Sequence, residues 1–307
     1  MGAVLLRALS FAFIIAVGIF LKEKNLVGPD AGKTVQMLMI NVTLPAAIIC
    51  NFASLERMTA EMAIMPIIGA GIAFGLMLIT MLIMRNASRD DKISFCNVIP
   101  GINIGNFCLP FVQSFFPAAG SVALCLYDVG NSVFCLGGGY ASISAYAGGA
   151  EHKFSLKHFI KTLLSSLPLD IYLLLFFLSL VGVRPPQAVA DFVQPIADAN
   201  AFVAMAMLGL TFHLELKKEY VKKIILLLGS RYVAAGLVSL AVWFFLPVDT
   251  LIKQVIIMTV FGPVNTVAGA YTGMCKGDEG LVSCVTSLSI PCSIIALTCI
   301  LLGFGIF

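Results

Sequence analysis

Hydrophobic positions in this chain do not alternate with polar ones; they run on in long blocks. Ten apolar stretches fall at about 4–21, 35–53, 60–84, 93–116, 122–147, 159–183, 188–212, 221–246, 251–274 and 281–306. Each is close to the ~20 residues a helix needs to cross the hydrocarbon core of a bilayer. Short polar loops separate them. The pattern predicts an all-α membrane protein with ten transmembrane helices, numbered here as spans one to ten.

Composition agrees with that reading. The 307 residues are 60% hydrophobic and 11% charged, with a mean hydropathy of +1.01, whereas a soluble domain carries about 25% charged residues. A net charge of +3 is too small to point to nucleic acid as a partner. Placement of the basic residues says more. The loops after the odd-numbered spans hold fourteen, among them Lys22, Lys33, Arg89, Lys161, Lys217, Lys223 and Lys276; the opposite side holds Arg7, Arg57, Arg184 and Lys253. Cytoplasmic loops carry the excess of Lys and Arg. Both termini are therefore expected outside, as an even number of spans requires. The first apolar run is followed by Lys22-Glu23-Lys24 and not by a small-residue cleavage site, so no cleavable signal peptide is expected. Nine cysteines sit singly, mostly within apolar runs, and no pair has metal-ligand or redox spacing.

Secondary transporters are commonly built from inverted repeats, and five spans per half would invert the second half automatically. An ungapped shift of 159 residues lays Asn51-Phe52-Ala53-Ser54-Leu55-Glu56 over Leu210-Thr211-Phe212-His213-Leu214-Glu215. It also sets Asn41 on Asn200 and Asn106 on Asn265. The expected organisation is a first repeat over 1–147, a cytoplasmic linker over 148–158 and a second repeat over 159–307.

Spans four and nine carry the chemistry. Span four reads IPGINIGNFCLP (99–110) and span nine FGPVNTVAGAYTG (261–273), each interrupted at mid-depth by Gly, Pro and Asn. Proline removes an amide hydrogen and crowds the preceding turn, and glycine weakens a helix. In lipid, the freed backbone groups must find partners. Two matched breaks predict helices that unwind where they cross and expose peptide dipoles to a cavity, the best sequence pointer to a transporter's binding site. Asn106 and Asn265, with Gly105 and Pro263 beside them, are the candidate substrate-binding residues, because an amide side chain offers both donors and an acceptor. Asn41, Asn200 and Thr43 are candidates for lining the cavity from spans two and seven. Interhelical glue is the competing role for these three.

Span five contains LYDVGNSVF (126–134). Asp128 lies roughly 9 Å down its axis, with Asn131 three residues on and so on nearly the same face. A carboxylate inside a span is a functional hypothesis by default. Asp128 and Asn131 are the candidate ion-coupling pair, carrying a proton or helping to hold Na⁺. Their competing role is to accept hydrogen bonds from span four. Asp170, Asp198 and Arg231 also fall within spans, and sequence does not say which of them meet.

GNFCLPFV (105–112) followed by LYDVGNSVF resembles the helix-four and helix-five signature of the auxin efflux carrier family of permeases. INVTLPA (40–46) and GPVNTVAGAYTG (262–273) are similar to that family's helix-two segment and helix-nine crossover. The resemblance implies a fold related to the bile acid sodium symporters. Spans one, two, six and seven would form a scaffold; spans three to five and eight to ten would form a moving core, with spans four and nine crossing at the substrate. Asn106 and Asn265 match the crossover asparagines. The chain departs from the plant carriers in lacking a long central loop and in having Gly105-Asn106 and Val264-Asn265 where they have an Asn-Pro pair. A short bacterial-type permease of the inner membrane fits better than a carrier of auxin itself.

The expected function is secondary transport of a small organic anion, a carboxylate, by alternating access. Sodium-coupled symport of bile acid-type or other organic solutes is the alternative. A sensor lacks an appended domain. An intramembrane protease is disfavoured because Tyr127-Asp128 has no partnering Gly-x-Gly-Asp in a later span, and His152, His158 and His213 lack zinc spacing. No enzyme activity, metal site or cofactor is expected beyond a coupling H⁺ or Na⁺. The expected partners are the solute, the lipid bilayer and, in a homodimer, a second copy.

Overall fold

The computed structural model describes residues 2–147, 155–215 and 217–306, without the side chain of His158. The expected linker over 148–158 lies mostly outside these residues, as do His152 and Lys153. Apart from the single turn Ala60–Ala63, the helices are α1 (Gly2–Glu23), α2 (Ala31–Ala53), α3 (Met65–Asn86), α4 (Arg89–Val98), α5 (Leu109–Phe115), α6 (Ala118–Ala147), α7 (Leu156–Leu163), α8 (Leu167–Leu180), α9 (Gln187–Thr211), α10 (Tyr220–Phe245), α11 (Thr250–Val260), α12 (Ala268–Met274) and α13 (Glu279–Gly303). Seven of these, α1, α2, α3, α6, α9, α10 and α13, are long and apolar enough to cross a membrane. The described residues are all-helical apart from one isolated antiparallel bridge between Ile102 and Val264.

Where spans four, six and nine were expected, the helix comes in two pieces: α4 and α5, α7 and α8, α11 and α12. Backbone chemistry explains the breaks. Pro100 and Gly101 follow the end of α4, and Gly262 and Pro263 follow α11, so neither helix can extend its ladder of amide hydrogen bonds. Pro168 sits in the first turn of α8.

A shared local pattern shapes two further turns. Asn41-Val42-Thr43-Leu44-Pro45 in α2 and Asn106-Phe107-Cys108-Leu109-Pro110 ahead of α5 both follow Asn-x-x-Leu-Pro. The proline has no N–H for the carbonyl four residues back, and its ring crowds that carbonyl. The turn ahead of it widens to π geometry. Leu44 N–H donates to Met39 O, and Leu109 N–H donates to Ile104 O, each five residues back.

Packing brings α1 along α9 and sets α2 against α8 and α9, while α3 runs along α6, and α10 packs on α11 and α13. The contact of α3 with α6 is backbone-close: a Cβ at Gly130 would collide with Pro66 O, and one at Gly69 with Tyr127 O. This approach buries the Tyr127/Gly130 face of α6, next to the face that carries Asp128 and Asn131. Outside the bundle, large apolar side chains such as Phe192, Phe245 and Ile67 are 81%, 84% and 73% exposed. Such a surface suits hydrocarbon, where helices satisfy their own backbone.

Candidate functional site

The two backbone breaks meet face to face. Asn103 N–H donates to Pro263 O at 3.0 Å, and Asn265 N–H donates to Gly101 O at 3.3 Å, flanking the Ile102–Val264 bridge. The exchange is reciprocal, as around a local two-fold axis. It makes Asn103 the counterpart of Asn265, at an offset of 162 residues set by Ile102 and Val264. Asn106, which the shift of 159 sets on Asn265, lies one turn further along, in the widened turn before α5.

Each break is held by side chains from neighbouring helices. On the α6 side, Asn131 Nδ2 donates to Ile102 O at 3.3 Å and to Asp128 Oδ1 at 3.0 Å. On the α13 side, the Ser289 hydroxyl accepts from Val264 N–H at 2.9 Å, and the Ser293 hydroxyl donates to Phe261 O at 2.8 Å. Arg231 of α10 reaches both breaks. Its guanidinium donates to Val98 O, Ile99 O and Gly101 O at 2.6, 3.0 and 3.0 Å, and to Gly262 O and Pro263 O at 2.7 and 3.2 Å. The question of which acid Arg231 meets is answered by none: its partners are carbonyls at the C-terminal ends of α4 and α11.

A cavity of about 170 Å³ adjoins the crossing. Asn103, Gly105 and Asn106 line it from the first break, and Asn265 and Thr266 from the second. Asp128, Asn131, Ser132 and Cys135 line it from α6 and its kinked continuation, Gln36, Ile40 and Leu44 from α2, and Ser166, Leu169 and Tyr172 from α8 and its entry. Among the described residues, no Lys, Arg or His side chain lines it. Three of its buried polar atoms lack ordinary partners. Asn103 Nδ2 and Asn131 Oδ1 have none, and the Tyr172 hydroxyl has only the Cys125 thiol beside it, a weak partner. A buried polar group left unmatched costs about 1–3 kcal/mol. Three residues of the wall thus carry a buried polar atom without an ordinary partner, in a lining that is itself rich in polar groups. Among the described residues, the lining offers amide and hydroxyl donors and one carboxylate, Asp128.

Several sequence candidates lie elsewhere. Asn41 is exposed and donates back to Met37 O at 2.9 Å. The widened turn rotates this part of α2, so Ile40 and Leu44 face the cavity instead. Asn200 is buried, and its Oδ1 accepts from the Thr43 hydroxyl at 3.0 Å, which ties α9 to α2 as glue. Pro263 contributes its carbonyl to Asn103 and Arg231, not a surface to the cavity. Asp198 is exposed and accepts from Gln194 Nε2 at 2.6 Å. Asp170 lies in the first turn of α8, outside the cavity lining. Conversely, Asn103, Ser166 and Tyr172 were not singled out in the sequence. The Asn-Gly-Pro density of span four was the one signal for Asn103.

A second cavity, of about 500 Å³, lies between α9 and α13 and is lined by Thr211, His213, Glu279, Ser283 and Ser287. Thr266 belongs to both walls. Outside the spans, the Ser88 hydroxyl donates to Asp91 Oδ2 at 2.6 Å and holds that carboxyl below its usual range, helped by Lys223 Nζ at 3.2 Å. Among the described residues, no three His, Cys, Asp or Glu side chains are grouped to hold a metal ion.

No protein-family profile matches the chain, and no curated protein matches it in sequence. Fold and site together define an all-helical membrane protein with a polar cavity where two broken helices cross.

Proposed function

We propose that this protein is a secondary transporter that moves a small organic anion, a carboxylate, across the membrane by alternating access. The observation that carries the reading is the polar cavity at the crossing, with its unmatched amide groups. Discontinuous helices crossing at mid-depth are the usual substrate site of such transporters. The interrupted pairs α4/α5, α7/α8 and α11/α12 would supply spans four, six and nine, completing ten spans in two inverted repeats. The reciprocal bonding of Asn103 and Asn265 fits that symmetry. In this reading α1, α2, the pair α7/α8 and α9 are the scaffold and the remaining elements the moving core, as in the auxin efflux carrier permeases that the sequence motifs resemble.

Both termini would lie outside. The cavity then opens inward, since Gln36 on its wall is one turn from Lys33 and Ser166 is close to Lys161 on the Lys/Arg-rich side. An anion and an ionised Asp128 would share this small space without a basic side chain. At a separation of roughly 5 Å and an effective dielectric of about 20, their repulsion is about 3 kcal/mol. Asp128 must therefore carry a proton, or a Na⁺ beside it, when the anion is bound, and Asn131 would position the carboxyl for either. That is the coupling step in this account.

The test is a thermal-shift screen of mono- and dicarboxylates on purified protein, with and without Na⁺. Asn106→Ala and Asn265→Ala should each weaken binding of the active solute roughly ten- to a hundredfold, the equivalent of about 1.5–3 kcal/mol for a lost hydrogen bond to a charged group. If both variants fold and bind as tightly as the parent, the solute binds elsewhere.

A further inference from the structure

We propose that Arg231 is a tethered cation filling a monovalent-cation site built from the carbonyl ends of the two broken helices. Removing its charge should open that site to a free cation. Five carbonyl oxygens from two chain segments converge on one guanidinium, at 2.6–3.2 Å. Backbone carbonyls are hard oxygen ligands of the kind that replace a cation's hydration shell in ion filters.

The charge balance also fits a cation. Arg231 is only 2% exposed and has no carboxylate among its hydrogen-bond partners. A helix C-terminus carries about half a negative elementary charge, and the ends of α4 and α11 both point at this group. Together they offset about one positive charge. Without it, two helix ends would face each other in a buried, low-dielectric place with unmatched carbonyls, which is unfavourable. Arg231 Nε lacks a partner, so all of these contacts are made by the fork of its two terminal nitrogens.

The site lies across the backbone crossing from Asp128. Gly101 O accepts from Arg231 and from Asn265 N–H, while the next carbonyl, Ile102 O, accepts from Asn131, which also holds Asp128. A fixed cation thus stands on one side of the crossing and a carboxylate on the other. The cation on the Arg231 side needs no exchange with solvent during transport, so any ion that cycles does so at Asp128.

The experiment reads thermal unfolding of purified protein without solute, so its outcome is separate from that of the transport reading. Parent, Arg231→Ala and Arg231→Lys are melted in NaCl, KCl and choline chloride at equal ionic strength, and in low millimolar guanidinium chloride. Arg231→Ala should melt below the parent and gain a saturable upward shift with guanidinium or an alkali cation that the parent lacks, by mass action on a folded-state site. A variant that melts at the same temperature in every cation, beyond any dependence the parent shows, would overturn the proposal. If Arg231→Ala cannot be recovered folded, Arg231→Lys decides: recovery with a lowered midpoint supports a requirement for charge, and loss of both variants refutes it.

Discussion

The two breaks use the same backbone device and different chemistry to hold it. Beside the first, α6 supplies an amide and a carboxylate, Asn131 and Asp128; beside the second, α13 supplies two hydroxyls, Ser289 and Ser293. The hydroxyl side shows that a crossing of this kind needs no carboxylate beside it to satisfy its backbone. Asp128 is 9% exposed and has no cation among its hydrogen-bond partners, and a carboxylate in such a place is costly. Its presence on one side only is an asymmetry that stability does not demand, which is why function is assigned there.

The largest effect should come from forcing the carboxylate side away from its support. Gly130→Leu would drive α6 off Pro66 in α3, a clash of backbone with side chain and a loss beyond about 4 kcal/mol. Fluorescence-detected size exclusion should show no monodisperse protein. A folded variant would mean that α3 and α6 are not packed this closely.

Next come the two supports themselves. Asn131→Ala leaves both Ile102 O and Asp128 without that amide and should lower stability by about 2–4 kcal/mol, whereas Ser289→Ala, which frees Val264 N–H, should cost about 1–2 kcal/mol. Melting both variants at one pH checks the order, and the reverse order would remove the asymmetry. Asp128→Asn should leave the melting temperature unchanged or raised, because a neutral isostere ends the burial of charge. It should also flatten the pH or Na⁺ dependence of solute binding. Retention of the parent's full dependence would show that coupling lies elsewhere.

The smallest effect belongs to a contact outside both breaks. Lys223→Ala removes a partner of Asp91 on a half-exposed surface and should cost well under 1 kcal/mol, as surface ion pairs do. Because the Asp91 carboxyl is held below its usual range, its contribution is present above the ordinary carboxylate range and is lost as pH falls through the lowered value. The difference between Lys223→Ala and parent should therefore vanish in acid; a difference that grows there would contradict the pairing.

Much of the fold was legible because length and apolarity alone mark a membrane helix, and the seven long helices follow the expected runs. The interruptions in spans four and nine were legible because Pro and Gly act locally on the backbone. What was not legible depended on register and on tertiary contact. Asn106 was matched to Asn265 by a linear shift, but the chains pair through Asn103, one turn away. Asn41 was a candidate for the cavity wall, but the turn before Pro45 widens to π geometry and Asn41 faces outward. Tyr172 reaches the cavity only because α8 packs beside α6. Arg231 could not be paired from sequence because its partners are backbone carbonyls, which every residue has.

The central claim is that a carboxylate binds in the cavity at the crossing, and Cys135, the one cysteine on that wall, reports on it directly. With the other cysteines replaced, Cys135 should react with an impermeant thiol reagent added to inside-out vesicles. A carboxylate that the protein binds should slow the reaction at least ~tenfold when its concentration is ten times Kd or more, as simple occupancy requires. Asn265→Ala should lose that protection at the same concentration. If Cys135 reacts equally fast with the site saturated and empty, the solute does not sit at the crossing and the account is wrong.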